Sequence, residues 1–191
     1  MKSRQNGVSL IEVMIVVLVS AILLAAAIPS FTVWIQNVQI RTASESLLNA
    51  LQAARNEAIR RNSCVQVKLI DSPLTSWEVR ECKNGDKTDA ATLIVGRAHG
   101  EGSPNATVIP MSAVPNDTVI ASFNALGRVV NPNPVDGSLP ITQIDIRNTT
   151  LQAADERKLR VEVAPGGAIK LCDPNKNLSA TDARRCTVQD T

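Results

Sequence analysis

Tyrosine is absent from this chain, and its aromatic set is two phenylalanines and two tryptophans. With so few rings, a stacking platform for bases or sugars is not expected. Histidine occurs once, as His99, inside Gly96-Arg97-Ala98-His99-Gly100-Glu101-Gly102, which reads as a solvated loop. No Ser/His/Asp or Cys/His arrangement can be assembled around it from spacing, so the chain is not expected to be an enzyme. The cysteines lack the paired spacing of a zinc site, and the glycine-rich stretches lack the strand-to-helix pattern of a phosphate loop. Neither a metal nor a cofactor is expected. An excess of charge is also missing: Lys2 and Arg4 account for the formal net charge of +2, and without them 18 basic residues face 18 acidic ones. Such a chain has no general electrostatic pull toward nucleic acid, and any contact of that kind needs a local patch.

Charge is missing most completely from Val13 to Ile40, and Glu12 is the only charge between Arg4 and Arg41. The apolar run is long enough to span a bilayer, for which about 20 residues suffice. Trp34 near its end occupies a position where interfacial aromatics are common. A carboxylate in such a segment costs roughly 2.5–3.5 kcal/mol on insertion, so Glu12 is expected to have a partner. An ordinary secretory signal cut near Ala25-Ala26-Ala27 is one competing reading, and a plain single-pass anchor is another. Neither explains a glutamate placed at the start of the apolar run.

Beyond Ile35 the pattern becomes amphipathic. Ile40, Ala43, Leu47, Ala50 or Leu51, Ala54 and Ala58 recur at steps of three and four, the spacing of one helix face. Pro29 should kink or loosen the helix, which is read as continuing past it. A helix from Val8 to about Asn62 would be roughly 80 Å long at 1.5 Å per residue. The rest leaves room for one modest domain. Ser63–Ile70 and Trp77–Cys82 alternate like strands on either side of a turn at Asp71–Thr75. Folded about Pro73, they set Val67 opposite Val79, Leu69 opposite Trp77 and Cys64 opposite Cys82, where a cross-strand disulfide is geometrically reasonable. Gly96–Asn105 and Asn131–Gly137 read as exposed turns. Further strands are expected at Thr118–Phe123, Gly127–Val130, Ile141–Ile146, Lys158–Val163 and Ala168–Cys172. The fold class is therefore α+β, a long helix on a mostly antiparallel sheet.

The short basic leader ending in Gly7, then Val8-Ser9-Leu10-Ile11-Glu12 opening the apolar run, resembles the class III signal of type IV prepilins and type II secretion pseudopilins. Leu51–Val67, Phe123–Val129 and the cysteine-bearing C-terminus narrow this to the GspH/FimT family and a type IV pilin-like fold. The resemblance implies cleavage between Gly7 and Val8 by a prepilin peptidase and N-methylation of Val8, with Glu12 serving subunit assembly. Val8 departs from the usual phenylalanine, which bears on methylation more than on cleavage. It also implies a leader (1–7), a transmembrane or filament-core helix (8–35), an amphipathic helix of the head (36–62) and a β-rich head (63–191). Leu171-Cys172-Asp173-Pro174 with Ala183-Arg184-Arg185-Cys186 looks like the closing disulfide loop of the type IV pilus branch, giving a Cys172–Cys186 pair. The implied function is a minor pilin that joins or primes a type IV pilus. It would sit in the bacterial inner membrane with a periplasmic head, then in the fibre or at its tip. Its partners would be other minor and major pilins and the inner-membrane assembly platform. The alternatives are the H-type minor pseudopilin of type II secretion and a DNA-binding minor pilin. The DNA-uptake members carry a glycine-arginine-x-arginine motif where this chain has Gly167-Ala168-Ile169-Lys170, so DNA is the weaker partner. Residues 157–185 still hold seven basic and three acidic side chains. Lys170, Arg184 and Arg185 are the candidate DNA contacts, while Arg157, Lys158, Arg160, Arg184 and Arg185 together also read as a solvated face.

Overall fold

The computed structural model describes residues 7–70, 75–83, 92–98, 100–111 and 119–187. It divides into two units, Met1–Ile35 and Gln36–Thr191. Helix α1 (Leu10–Arg61) runs through Pro29. Proline offers no N–H to the preceding turn, and just beyond it the Thr32 hydroxyl donates to the Pro29 and Ile28 carbonyls at 2.7 and 3.2 Å. The helix stops because Asn62 takes a left-handed conformation (φ 50°). The Asn62 N–H then reaches the Ile59 carbonyl and the Ser63 N–H the Ala58 carbonyl. This Schellman closure satisfies carbonyls that the last turn would otherwise orphan.

The head holds eight strands among the described residues, in two four-stranded antiparallel sheets. The first sheet has the order β3 (Leu93–Arg97), β2 (Trp77–Glu81), β1 (Val65–Leu69), β5 (Val119–Phe123). The second has the order β4 (Ala106–Met111), β6 (Gln143–Asn148), β7 (Leu159–Val163), β8 (Ile169–Cys172). In the β1–β2 hairpin Val67 pairs with Val79 and Leu69 with Trp77, and the Cys82 N–H bonds to the Cys64 carbonyl. Its turn at residues 71–74 lies outside the described residues.

The helix contributes Ile40, Ala43, Leu47, Ala50, Leu51, Ala54 and Ala58 to the core, and Ala50 and Leu51 are both buried. Four alanines in that stripe keep the face slim. Against it lie Val65, Val67, Val79, Ala121 and Phe123 of the first sheet and Val108, Ile144, Ile146, Val161 and Val163 of the second. Trp77 is nearly buried, and its indole N–H donates to the Ser46 hydroxyl at 3.1 Å, so the ring packs without stranding its polar atom.

Four sequence expectations need correction. Gly96 and Arg97 belong to β3 rather than to a turn. Gly127–Val130 is not a strand: it closes a tight turn from Asn124 and makes a single bridge, Phe123 to Val129. Within the supposedly exposed 131–137 segment, Asn133 and Val135 are buried, with the Asn133 amide donating to the Ile120 carbonyl at 3.2 Å. The strands also form two antiparallel sheets rather than one, and between β5 and β6 the chain bonds to both, the Ile141 N–H donating to the Ile120 carbonyl and the Val163 N–H to the Thr142 carbonyl.

Candidate functional site

The N-terminal unit places its functional side chains through helix geometry alone. Gly7, Val8 and Ser9 precede α1, and the Ser9 carbonyl accepts the N–H groups of Glu12 and Val13 at 3.1 and 3.2 Å. Glu12 thus lies in the first helical turn, where the positive end of the helix dipole favours a carboxylate. Its side chain is exposed. The large apolar side chains that follow, from Val13 through Leu24 and on to Ile28, Phe31 and Trp34, are exposed. A helix that is apolar all round and unburied is matched to lipid or to a bundle of similar helices. It is the one helix among the described residues long and apolar enough to cross a membrane. Lys2, Arg4 and the rest of residues 1–6 lie outside the described residues.

At the other end of the chain, one face of the second sheet carries Asp145, Arg160, Glu162, Lys170 and Cys172. Cross-strand pairing makes this so, since Asp145 is opposite Arg160, Arg160 opposite Cys172, and Glu162 opposite Lys170. The C-terminal segment is tied across this face at three points. Cys172 bonds to Cys186, the Lys170 ammonium donates to the Arg185 carbonyl at 2.7 Å, and the Thr187 N–H donates to both Glu162 carboxylate oxygens at 3.0 and 3.1 Å. Arg160 is buried and donates to both oxygens of buried Asp145, at 2.5 and 2.9 Å. It therefore does not belong to the solvated basic face that its spacing indicated. Nothing local in Lys158–Val163 marks it, because the alternation of a strand with one wet face looks the same.

Lys170 and Arg184 are likewise engaged within the loop. The Arg184 guanidinium forks onto Asp182 at 2.8 and 3.1 Å and holds that carboxyl well below its ordinary range, at about 2. Glu162 lies within 4.8 Å of the Cys172 and Cys186 sulfurs, but both sulfurs are spent in the disulfide and offer no thiolate to a metal. The second disulfide joins Cys64 to Cys82 beside the end of α1. His99 lies outside the described residues.

Closing a loop of sequence separation 14 by Cys172–Cys186 stabilises the head by about 3 kcal/mol on a chain-entropy estimate. Replacing both cysteines by serine is expected to lower the thermal midpoint accordingly and to expose Arg184 and Arg185 to trypsin. Equal midpoints and equal digestion rates for variant and parent would refute this.

Comparison with known proteins places these features together. A family model described as type II transport protein GspH matches residues 43–167. Another, described as the prokaryotic N-terminal methylation motif, matches residues 2–28. No curated protein sequence matches the chain. Among solved structures, the type IV minor pilin FimU of Pseudomonas aeruginosa is similar at 18% identity and a TM-score of 0.51, covering 72% of this chain and 91% of that one. The minor pseudopilin EpsH from the type 2 secretion system of Vibrio cholerae is similar at 13% identity and a TM-score of 0.50, covering 72% of this chain and 99% of that one. At these identities the likeness is one of fold.

Proposed function

The chain belongs to the GspH family of minor pilins and pseudopilins, and on that premise we propose that it is a minor pilin assembled into a type IV pilus. The observation that carries this reading is the N-terminus: Gly7, then Val8, then Glu12 in the first turn of a helix whose next charge is Arg41 and whose large apolar side chains up to Trp34 are exposed. Residues 1–7 are the leader, removed by prepilin peptidase between Gly7 and Val8, after which Val8 carries the methylated amine. Residues 8–35 hold the protein in the inner membrane with the head in the periplasm, and later lie in the core of the fibre. Residues 36–62 and 63–191 form the head.

In the fibre the Glu12 carboxylate neutralises the Val8 amine of an adjacent subunit. An unpaired charge in apolar surroundings is strongly disfavoured, so the pairing sets the axial register of one helix against the next. The C-terminal disulfide loop favours the pilus over the secretion assembly. Glu12→Ala is expected to leave the leader cleaved but to reduce the protein recovered in sheared pili by at least about tenfold, the loss of roughly one charged pair. Wild-type recovery of the variant in pili would overturn the proposal.

A further inference from the structure

Three of the four arginines on the head's part of α1 have carboxylate partners. Arg41 pairs with Glu45 at 2.7 Å, and Arg60 and Arg61 both bind Glu57, drawing that carboxyl down to about 2. Arg55 differs. Its Nε–H donates to the Gly127 carbonyl at 3.1 Å, and among the described residues its two terminal nitrogens have no acceptor. The bond at Nε restrains the guanidinium against the Gly127 turn and leaves its fork for another acceptor. A second turn reinforces the clamp, since Gly127 and Gly167 are both in the left-handed region and pack against each other and the Arg55 side chain.

The fork lines an open cavity of about 180 Å³ together with Gln52, Asn56 and Ile169. Arg55 and Asn56 follow Gln52 by one helical turn, and all three line the cavity, so two side-chain amides border the same opening as the guanidinium. Beside it are two exposed apolar side chains: Ile59, whose Cδ1 touches the Gly127 turn, and Leu126 at its tip, 75% exposed. A guanidinium held rigid with two parallel N–H donors free matches a carboxylate in a bidentate mode. A small free acid would leave the apolar rim wet, whereas a protein surface would cover it.

We propose that this pocket is a subunit-docking site that receives a carboxylate side chain from the head of a neighbouring subunit in the fibre. The inference rests on the minor-pilin reading above. It goes beyond that reading by assigning a contact in the head rather than in the helical core. Arg55 binds the incoming carboxylate, Asn56 offers its oxygens a further donor, Gln52 borders the opening, and Ile59 and Leu126 seal the contact against water.

The test introduces a charge of either sign at exposed Gln52 in the full-length protein, expressed in a piliated strain. Gln52→Glu puts a carboxylate three residues before Arg55, where it occupies the fork and repels the incoming acid. Gln52→Lys adds a cation of similar length at the same place. Gln52→Glu is expected to be processed and oxidised normally but to fall on the order of tenfold in sheared pili, while Gln52→Lys is recovered at or above the wild-type level. Recovery of both variants at the wild-type level, or equal loss of both, overturns the proposal, the second outcome marking a steric effect with no preference for charge. Neither result touches the Glu12 reading, whose failure would appear as normal recruitment of Glu12→Ala.

Discussion

Asp145→Ala is expected to destabilise the head by about 3–5 kcal/mol, because it leaves the Arg160 guanidinium buried without its carboxylate. Both side chains are almost fully covered, at 2% and 1% exposure. The pair lies on the face of the sheet opposite the core. On the opposite face of the same strands, Ile144, Ile146, Val161 and Val163 fill the core. Asp145 and Arg160 point the other way, where a strand would ordinarily meet water, yet both are buried. Replacing the pair together, Asp145→Leu with Arg160→Met, is expected to recover most or all of the loss, since two apolar side chains have no desolvation penalty. Urea unfolding of the parent and both variants, followed by Trp77 fluorescence, measures the loss and its recovery. A single variant within about 0.5 kcal/mol of the parent, the ordinary range for a surface change, would show that the pair is in practice solvated.

The pair also marks where the sequence stops being legible. The helix and the first hairpin are strongly patterned: the stripe from Ile40 to Ala58 is the face that is buried, and the alternation in Val65–Leu69 and Trp77–Glu81 gives the register of that hairpin. Those signals are local, because both partners lie within a few residues of the turn between them. β3 and β4 have no comparable signal. Both are edge strands, each pairs on one side only, and each carries a residue that argues against a strand, Gly96 and Pro110. An edge tolerates them because one row of backbone groups needs no sheet partner. The Asp145–Arg160 contact and the Arg55–Gly127 contact span separations of 15 and 72 residues. Neither residue type nor spacing announces them, since a charged residue on an alternating strand or a helix face ordinarily faces water. The N-terminal segment is the reverse case, where charge pattern alone marks a helix whose large apolar side chains are exposed.

Gly167→Ala is the other substitution expected to have a large effect, more than about 3 kcal/mol, and a second glycine separates its causes. Gly167 sits at φ +84° in the turn joining β7 to β8, where its N–H bonds to the Ala164 carbonyl at 2.8 Å. A methyl group there would lie 1.8 Å from the Gly127 carbonyl oxygen, a backbone atom that cannot rotate aside. Gly137 has a similar φ of +75°, but a methyl group on it would meet nothing within 4 Å. Gly137→Ala therefore reports the conformational cost alone, about 1–2 kcal/mol for an L-residue in the left-handed region. Gly167→Ala adds the displacement of one turn from the other. That displacement pulls the Gly127 carbonyl away from Arg55 and strains the bond from the Val129 N–H to the Pro165 carbonyl, each worth roughly 1 kcal/mol. The difference in urea midpoint between the two variants measures the contact between the turns. Equal midpoints would mean that the contact is loose, and with it the clamp that holds the Arg55 fork in place.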